Sequence, residues 1–104
     1  METRLLRYFV AVADAGHMTR AAAQLGIQQP PLSQQIRALE GRLGMTLFHR
    51  HPKGVSLTDS GRLFLAEAQR ILQDIAAMEE RMQREGMRSG RAGERDVQAP
   101  ALAP

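Results

Sequence analysis

The chain has no cysteine among its 104 residues, which removes disulfide bridges, a thiolate nucleophile and any cysteine-ligated zinc site from consideration. A reducing compartment such as the bacterial cytoplasm is compatible with that. A membrane-length apolar run is also missing. The opening stretch METRLLRYFVAVADAG is interrupted by Arg7 and Asp14, so neither a signal peptide nor a membrane span is expected. Acidic residues are scarce in the first half, where only Glu2, Asp14 and Glu40 precede residue 59. No Ser-His-Asp grouping is suggested by position and no glycine-rich phosphate loop appears, so an enzyme is not expected. His49 and His51 are accompanied by no third or fourth ligand, so neither a metal nor another cofactor is expected. There is no internal repeat. What remains is one small soluble domain with extensions, whose core is too modest for a deep substrate cleft.

The basic residues that are present are unevenly placed. Residues 1–58 carry seven basic groups against three acidic ones, whereas residues 59–85 carry four against six. A basic front followed by a neutral to acidic back suggests that the front meets a polyanion and the back meets something else.

Apolar spacing predicts the elements. Leu5, Phe9 and Val12, widened by Leu6, Val10 and Ala13, make one face of a helix from Thr3 to Ala15, with Gly16 as its C-cap. Thr19 is the expected N-cap of a shorter helix over Arg20–Leu25, where Ala21, Ala22 and Ala23 allow close packing and Gly26 closes the turn. Pro30 and Pro31 fit only the first turn of a helix, where backbone N–H groups lack partners in any case. They start a third helix whose Leu32, Ile36, Leu39 and Leu43 form a buried seam ending at Gly44. Over residues 46–58 the period changes: Leu47, Val55 and Leu57 fit two-residue alternation around Pro52-Lys53-Gly54, which predicts a hairpin. A lone hairpin is marginal and must lean on the helices. Thr58 or Asp59 then caps a helix to about Glu85, in which Phe64, Ala68, Ile71, Ile75, Met78 and Met82 repeat as a heptad seam. From Gly86 onward the composition reads as a flexible tail.

Helix, short helix, tight turn and a third helix with a one-sided apolar seam is the layout of a helix-turn-helix, and the hairpin makes it winged. The predicted fold is mainly α: a winged helix-turn-helix of three helices plus a small β-hairpin wing over 1–58, a long dimerisation helix over 59–85 and a tail over 86–104. The face of helix three opposite its seam carries Ser33, Gln34 and Arg37, with Gln35 to one side. Those types suit a major groove: Gln pairs bidentately with adenine, Ser meets either kind of base edge, and Arg grips guanine or phosphate. Singly each is an ordinary surface residue, and the reading rests on their clustering. The rings of Pro30 and Pro31 can meet a thymine methyl. Arg50, His51 and Lys53 at the hairpin can lie along phosphates or in the minor groove, or simply form a polar turn. Along the last helix, Phe64 and Leu65 lie near enough to the hairpin to join the domain core. Residues 71–82 lie about 10 Å or more further on at 1.5 Å per residue, which favours self-association there.

The string LRYFVAVADAGHMTRAAAQLGIQQPPLSQQIRALEGRLGMTLFHR, followed by a wing and LTDSG, resembles the N-terminal DNA-binding domain and linker helix of LysR-type bacterial transcriptional regulators. The resemblance covers residues 1 to about 85. It implies binding to a partly palindromic double-stranded operator as a homodimer through the linker helix, with recognition helices about one DNA turn apart. It leaves further oligomerisation open. It places Gln29, Pro30, Pro31, Ser33, Gln34 and Gln35 at helix-three contact positions, Arg50 at a backbone contact and Lys53 at the wing contact; together with Arg37 and His51 from the reading above, and Thr19, these are the expected DNA-binding residues. Position 34 is commonly Arg in that family, and Gln here exchanges a cation for a shorter neutral amide. The family normally continues into an inducer-binding domain, so no small-molecule effector is expected to act on these 104 residues.

Overall fold

The computed structural model describes residues 1–89. They form helices α1 (Thr3–Ala15), α2 (Met18–Leu25) and α3 (Gln29–Leu43), strands β1 (Phe48–His51) and β2 (Gly54–Leu57), and helix α4 (Asp59–Arg88). This is a winged helix-turn-helix followed by a long helix. The predicted tail lies outside the described residues from position 90 on. One compact unit spans Met1–Leu72 and a second begins at Gln73.

The core of the first unit is built from the predicted stripes. Phe9 and Val12 of α1, Ala21 and Ala22 of α2, and Leu32, Ile36 and Leu39 of α3 are buried, and Leu43 packs at their edge. All three phenylalanines of the chain meet there. The Phe9 ring lies 4.9 Å from that of Phe48, tilted, and 4.8 Å from that of Phe64, edge to face. Aromatic pairs in such geometries add about 0.5–1.5 kcal/mol each beyond their buried area. Phe64 is therefore a core residue that ties the start of α4 to α1. Ala68 is 1% exposed. These first two members of the heptad seam serve the chain's own fold, because the domain reaches further along α4 than its hairpin boundary suggests.

Helices α1, α2 and α3 each end on a left-handed glycine, Gly16, Gly26 and Gly44, as the sequence predicts. The start of α2 differs from expectation. Its N-cap is His17, whose Nδ1 accepts from the Arg20 N–H at 3.4 Å, and Thr19 lies exposed inside the first turn. Pro30 and Pro31 sit in the first turn of α3 as expected, after a Gln28 N-cap without a side-chain bond.

The hairpin is antiparallel with Phe48 opposite Leu57 and Arg50 opposite Val55. In β2 the alternation is as predicted, with Val55 and Leu57 packed on the core, whereas in β1 it is one residue off. Phe48 and Arg50 face the protein, His49 and His51 are exposed, and Leu47 is buried just before the strand begins. A one-residue shift moves a strand's whole side-chain set to the other face, and here Glu40 fixes the choice. Its Oε2 accepts from the Leu47 and Phe48 N–H groups at 2.7 and 3.1 Å, while Oε1 accepts from Arg50 Nη1 at 3.2 Å. On the other side the Val55 N–H donates to Gly16 O at 3.0 Å. Gly54 passes so close, with φ 143°, that a Cβ would overlap that same carbonyl oxygen.

Helix α4 begins on Thr58, whose Oγ1 accepts from the Gly61 N–H at 2.8 Å and donates to Thr46 O at 2.7 Å. Gly61 is the point of closest approach, since a Cβ there would run into Leu47 O. At the far end Gly86 does not terminate the helix. Residues 86–88 remain helical, and Ser89 closes the end by donating N–H and Oγ to Glu85 O at 3.0 and 2.8 Å.

Removing the Glu40 carboxylate leaves the Arg50 guanidinium and two backbone N–H groups without their acceptor in a nearly dry site. Glu40→Ala is expected to lower unfolding stability by about 3 kcal/mol, read by urea denaturation. A loss under about 1 kcal/mol, the range of an exposed pair, would show the contact to be dispensable.

Candidate nucleic-acid interface

The interface is built on α3. Its seam residues Leu32, Ile36 and Leu39 are 0–1% exposed, so the remaining positions divide into an outer face and two flanks. Pro30, Pro31, Gln34 and Arg37 are exposed. One flank looks toward the wing: Gln29, Ser33 and Arg37 line a groove whose far wall is Arg50, His51 and Pro52, with His17 at its end. Gln29 Nε2 donates to Ser33 Oγ at 2.7 Å. That bond orients both half-buried side chains and leaves the amide oxygen and the hydroxyl proton for a ligand.

The structure thus brings together Gln29, Ser33, Arg37, Arg50 and His51. It separates others. Gln35 lies on the opposite flank, in a groove with Glu2, Arg4, Ala38 and Arg42 that reaches the start of α1. Lys53 is exposed in the hairpin turn and Thr19 is exposed on α2. Arg50 is partly buried: its side chain is 25% exposed and ion-paired to Glu40, and its Nη2 is buried without a hydrogen-bond partner. Through Nη1 it ties the wing to Glu40 of α3. Among the described residues no group of three or more metal-ligating side chains occurs.

His17 was missed by the sequence reading. Thr outranks His as an N-cap on local propensity, and only the packing of the Gly16–His17 corner under the hairpin reveals the cap. With Nδ1 accepting, Nε2 is the ring nitrogen left to donate, at the end of the groove lined by Gln29, Ser33, Arg37 and Arg50.

An exposed helix face bearing amides and an arginine, flanked by a groove and a hairpin wing with basic residues, defines a DNA-reading winged helix-turn-helix. Residues 3–62 match the family described as "Bacterial regulatory helix-turn-helix protein, lysR family". The chain belongs to the LysR family of bacterial regulators. It is 58% identical over 72 residues to the HTH-type transcriptional regulator BudR of Klebsiella aerogenes, covering 69% of this chain and 50% of that protein. Over 107 residues it is 48% identical to the regulator YnfL of Escherichia coli K12, covering 100% of this chain and 34% of that one. The chain thus spans half or less of the length of these relatives. Among solved structures, the CbnR DNA-binding domain in complex with DNA superimposes with a TM-score of 0.78 at 43% identity, covering 83% of this chain and 99% of that one. The BenM DNA-binding domain on benA site 1 DNA gives 0.79 at 42% identity, covering 83% and 97%. Transcriptional regulation, rather than catalysis, is the activity of these relatives. Among the described residues no helix is long and apolar enough to cross a membrane.

His17→Ala removes an N-cap acceptor and is expected to cost about 1 kcal/mol, whereas His17→Ser, which restores an oxygen acceptor, should return most of it in thermal unfolding. Equal losses in the two variants would exclude capping as the residue's role. Lys53→Ala should weaken binding about equally across DNA sequences and reduce the slope of log affinity against log salt by about 1; an unchanged slope would remove the wing turn from the phosphate contacts.

Proposed function

We propose that this chain binds double-stranded DNA sequence-specifically as a homodimer, reading each half of a partly palindromic operator with the exposed face of α3. Pro30, Pro31, Ser33 and Gln34 meet base edges, Gln29 steadies Ser33, and Arg37, His51 and Lys53 approach the phosphates on either side of the groove. Gln35, on the other flank, reaches the opposite strand. The observation that carries this reading is the exposure of Gln34 and Arg37 on a helix whose opposite side is fully buried. The CbnR and BenM DNA-binding domains, similar over most of their length, were solved on DNA, which supports the docking of the same face.

Dimerisation through α4 is supported by its apolar residues. Ile71, Met78 and Met82 are 36%, 45% and 60% exposed, an unusual setting for such side chains on one stripe unless a partner covers them. Two half-sites read by one dimer give the spacing of about one helical turn that the fold requires. Such a regulator works at the bacterial nucleoid, in the cytoplasm. A second reading, that the chain acts by pairing with related regulators through α4 and not by binding DNA itself, draws on the same exposed stripe.

A mobility-shift titration at physiological salt separates the two. Preference for a selected operator over scrambled duplex by more than about 1,000-fold, the low end for specific binders, is expected; no preference, with self-association intact, would favour the pairing role. Gln34→Ala should relax selectivity at one position per half-site by about 1–3 kcal/mol, and a uniform loss over all sequences would make Gln34 a phosphate contact. Ile75→Glu should yield monomers by sedimentation and weaken binding to a two-half-site operator; an unchanged mass would move the dimer interface elsewhere.

A further inference from the structure

The role of His17 in the fold uses one ring nitrogen and leaves the other. Nδ1 accepts from the Arg20 N–H at 3.4 Å and caps α2, and an imidazole that accepts at Nδ1 can donate only through Nε2. The corner that carries the ring is pinned from both sides. Residue 17 is extended, with φ −157° and ψ 125°, between Gly16, whose carbonyl oxygen accepts from the Val55 N–H at 3.0 Å, and the buried Met18. Gly54 of the wing passes beside the ring: a Cβ built there would lie 3.7 Å from His17 Cδ2, the carbon bonded to Nε2. The half-buried imidazole is thus oriented by its cap and by the wing, at the end of the groove that separates the wing from α3.

That groove encloses about 230 Å³, several times the share of about 30 Å³ that one water takes in the liquid, so it admits a group larger than a solvent molecule. Its polar side chains are His17, Gln29, Ser33, Arg37, Arg50 and His51, and no carboxylate is among the described residues that line it. Donors prevail. Gln29 Nε2 is spent on Ser33 Oγ, so Ser33 has its hydroxyl proton to give, and Arg50 Nη2 is buried without a hydrogen-bond partner. A base edge presents donors and acceptors together, whereas a phosphodiester presents acceptors and a negative charge. Pro30, Pro31 and Gln34 are exposed on the neighbouring face of α3, so a strand whose bases they meet carries its phosphates along this flank.

Resting on the DNA-binding reading above, we infer that His17 is a DNA-backbone contact that uses both ring nitrogens at once: Nδ1 holds the start of α2, and Nε2 donates to a phosphate oxygen seated between the α2 start, α3 and the wing. The cap orients the donor before DNA arrives, so no ordering of the ring is needed on binding. A ring that caps through Nδ1 is an uncharged donor, and it adds affinity without releasing a counterion. Arg37 and Lys53 differ from it in that respect. If His17 acted only on the fold, any good N-cap could replace it.

His17→Ser separates the two roles, because serine supplies the cap oxygen and has no donor at the position of Nε2. On the 104-residue chain, thermal unfolding should place His17→Ser near the unaltered protein. Fluorescence anisotropy on a duplex bearing two half-sites selected from random DNA should nevertheless show about tenfold weaker binding, the size of one hydrogen bond to a charged acceptor. The loss should be equal on scrambled duplex, since a phosphate carries no sequence, and the slope of log affinity against log salt should be unchanged. Replacing single phosphates of the selected duplex by neutral methylphosphonates should reveal a position in each half-site where the unaltered chain loses affinity and His17→Ser loses no more. Binding by His17→Ser as tight as that of the unaltered chain would overturn the inference and reduce His17 to a cap. A loss confined to the selected duplex would overturn it in favour of a base contact, and a slope lowered by about 1 in favour of a charged ring that cannot cap. An unaltered chain that binds neither duplex would remove the DNA-binding reading itself, and this inference with it.

Discussion

The carboxylate of Glu40 is the contact on which the DNA-facing surface depends. One side chain on the last turns of α3 binds the N–H groups of Leu47 and Phe48 and the guanidinium of Arg50, joining the recognition helix to the entry and the middle of the wing. A carboxylate accepting several hydrogen bonds in a partly dry site exerts more hold than an exposed ion pair, because each partner would be left unsatisfied by its loss. The spacing between α3 and β1 is thereby fixed, and with it the groove between Ser33 and Arg37 on one wall and His51 on the other.

The rest of the wing is fastened at its opposite edge. The Val55 N–H meets Gly16 O, and Gly54 is too close to that oxygen to carry a side chain. A two-stranded hairpin has little stability alone, so these attachments to the α1–α2 corner and to α3 are what make it a wing and not a loop. Thr58 and Gly61 perform the same service for α4, bringing its first turns against Leu47 so that Phe64 reaches Phe9. Recognition helix, wing and the start of the long helix are consequently fixed in one unit, and Met78 and Met82 further along α4 are exposed.

Much of the site was legible because local rules coincide with the tertiary outcome on α3. Pro30 and Pro31 mark a start, the Leu/Ile seam assigns the inside, and the outward residues follow by subtraction. The wing was less legible. Leu47 and Phe48 are adjacent and both apolar, so alternation alone permits either phase, and the choice decides whether Arg50 or the pair His49 and His51 faces the protein. Arg50 looked like a surface cation because Glu40 is ten residues away in sequence. His17 was passed over because Thr19 is the better cap on local grounds, and Gly86 looked like a stop because glycine commonly ends helices, although nothing at that position calls for a left-handed residue.

The amino-acid order by itself determined the element order, the one-sided burial of α3 and the heptad along α4, since these follow from the three-to-four-residue period of a helix and from turns set by proline and glycine. The same order implied the family through the spacing of its motif. Only the tertiary structure decided the phase of the wing's first strand, the pairing of Arg50 with Glu40 and the burial of Ala68. Each of those depends on a contact between residues distant in the chain, where two locally acceptable choices differ in energy only once Glu40, Gly16 or Phe9 stands opposite.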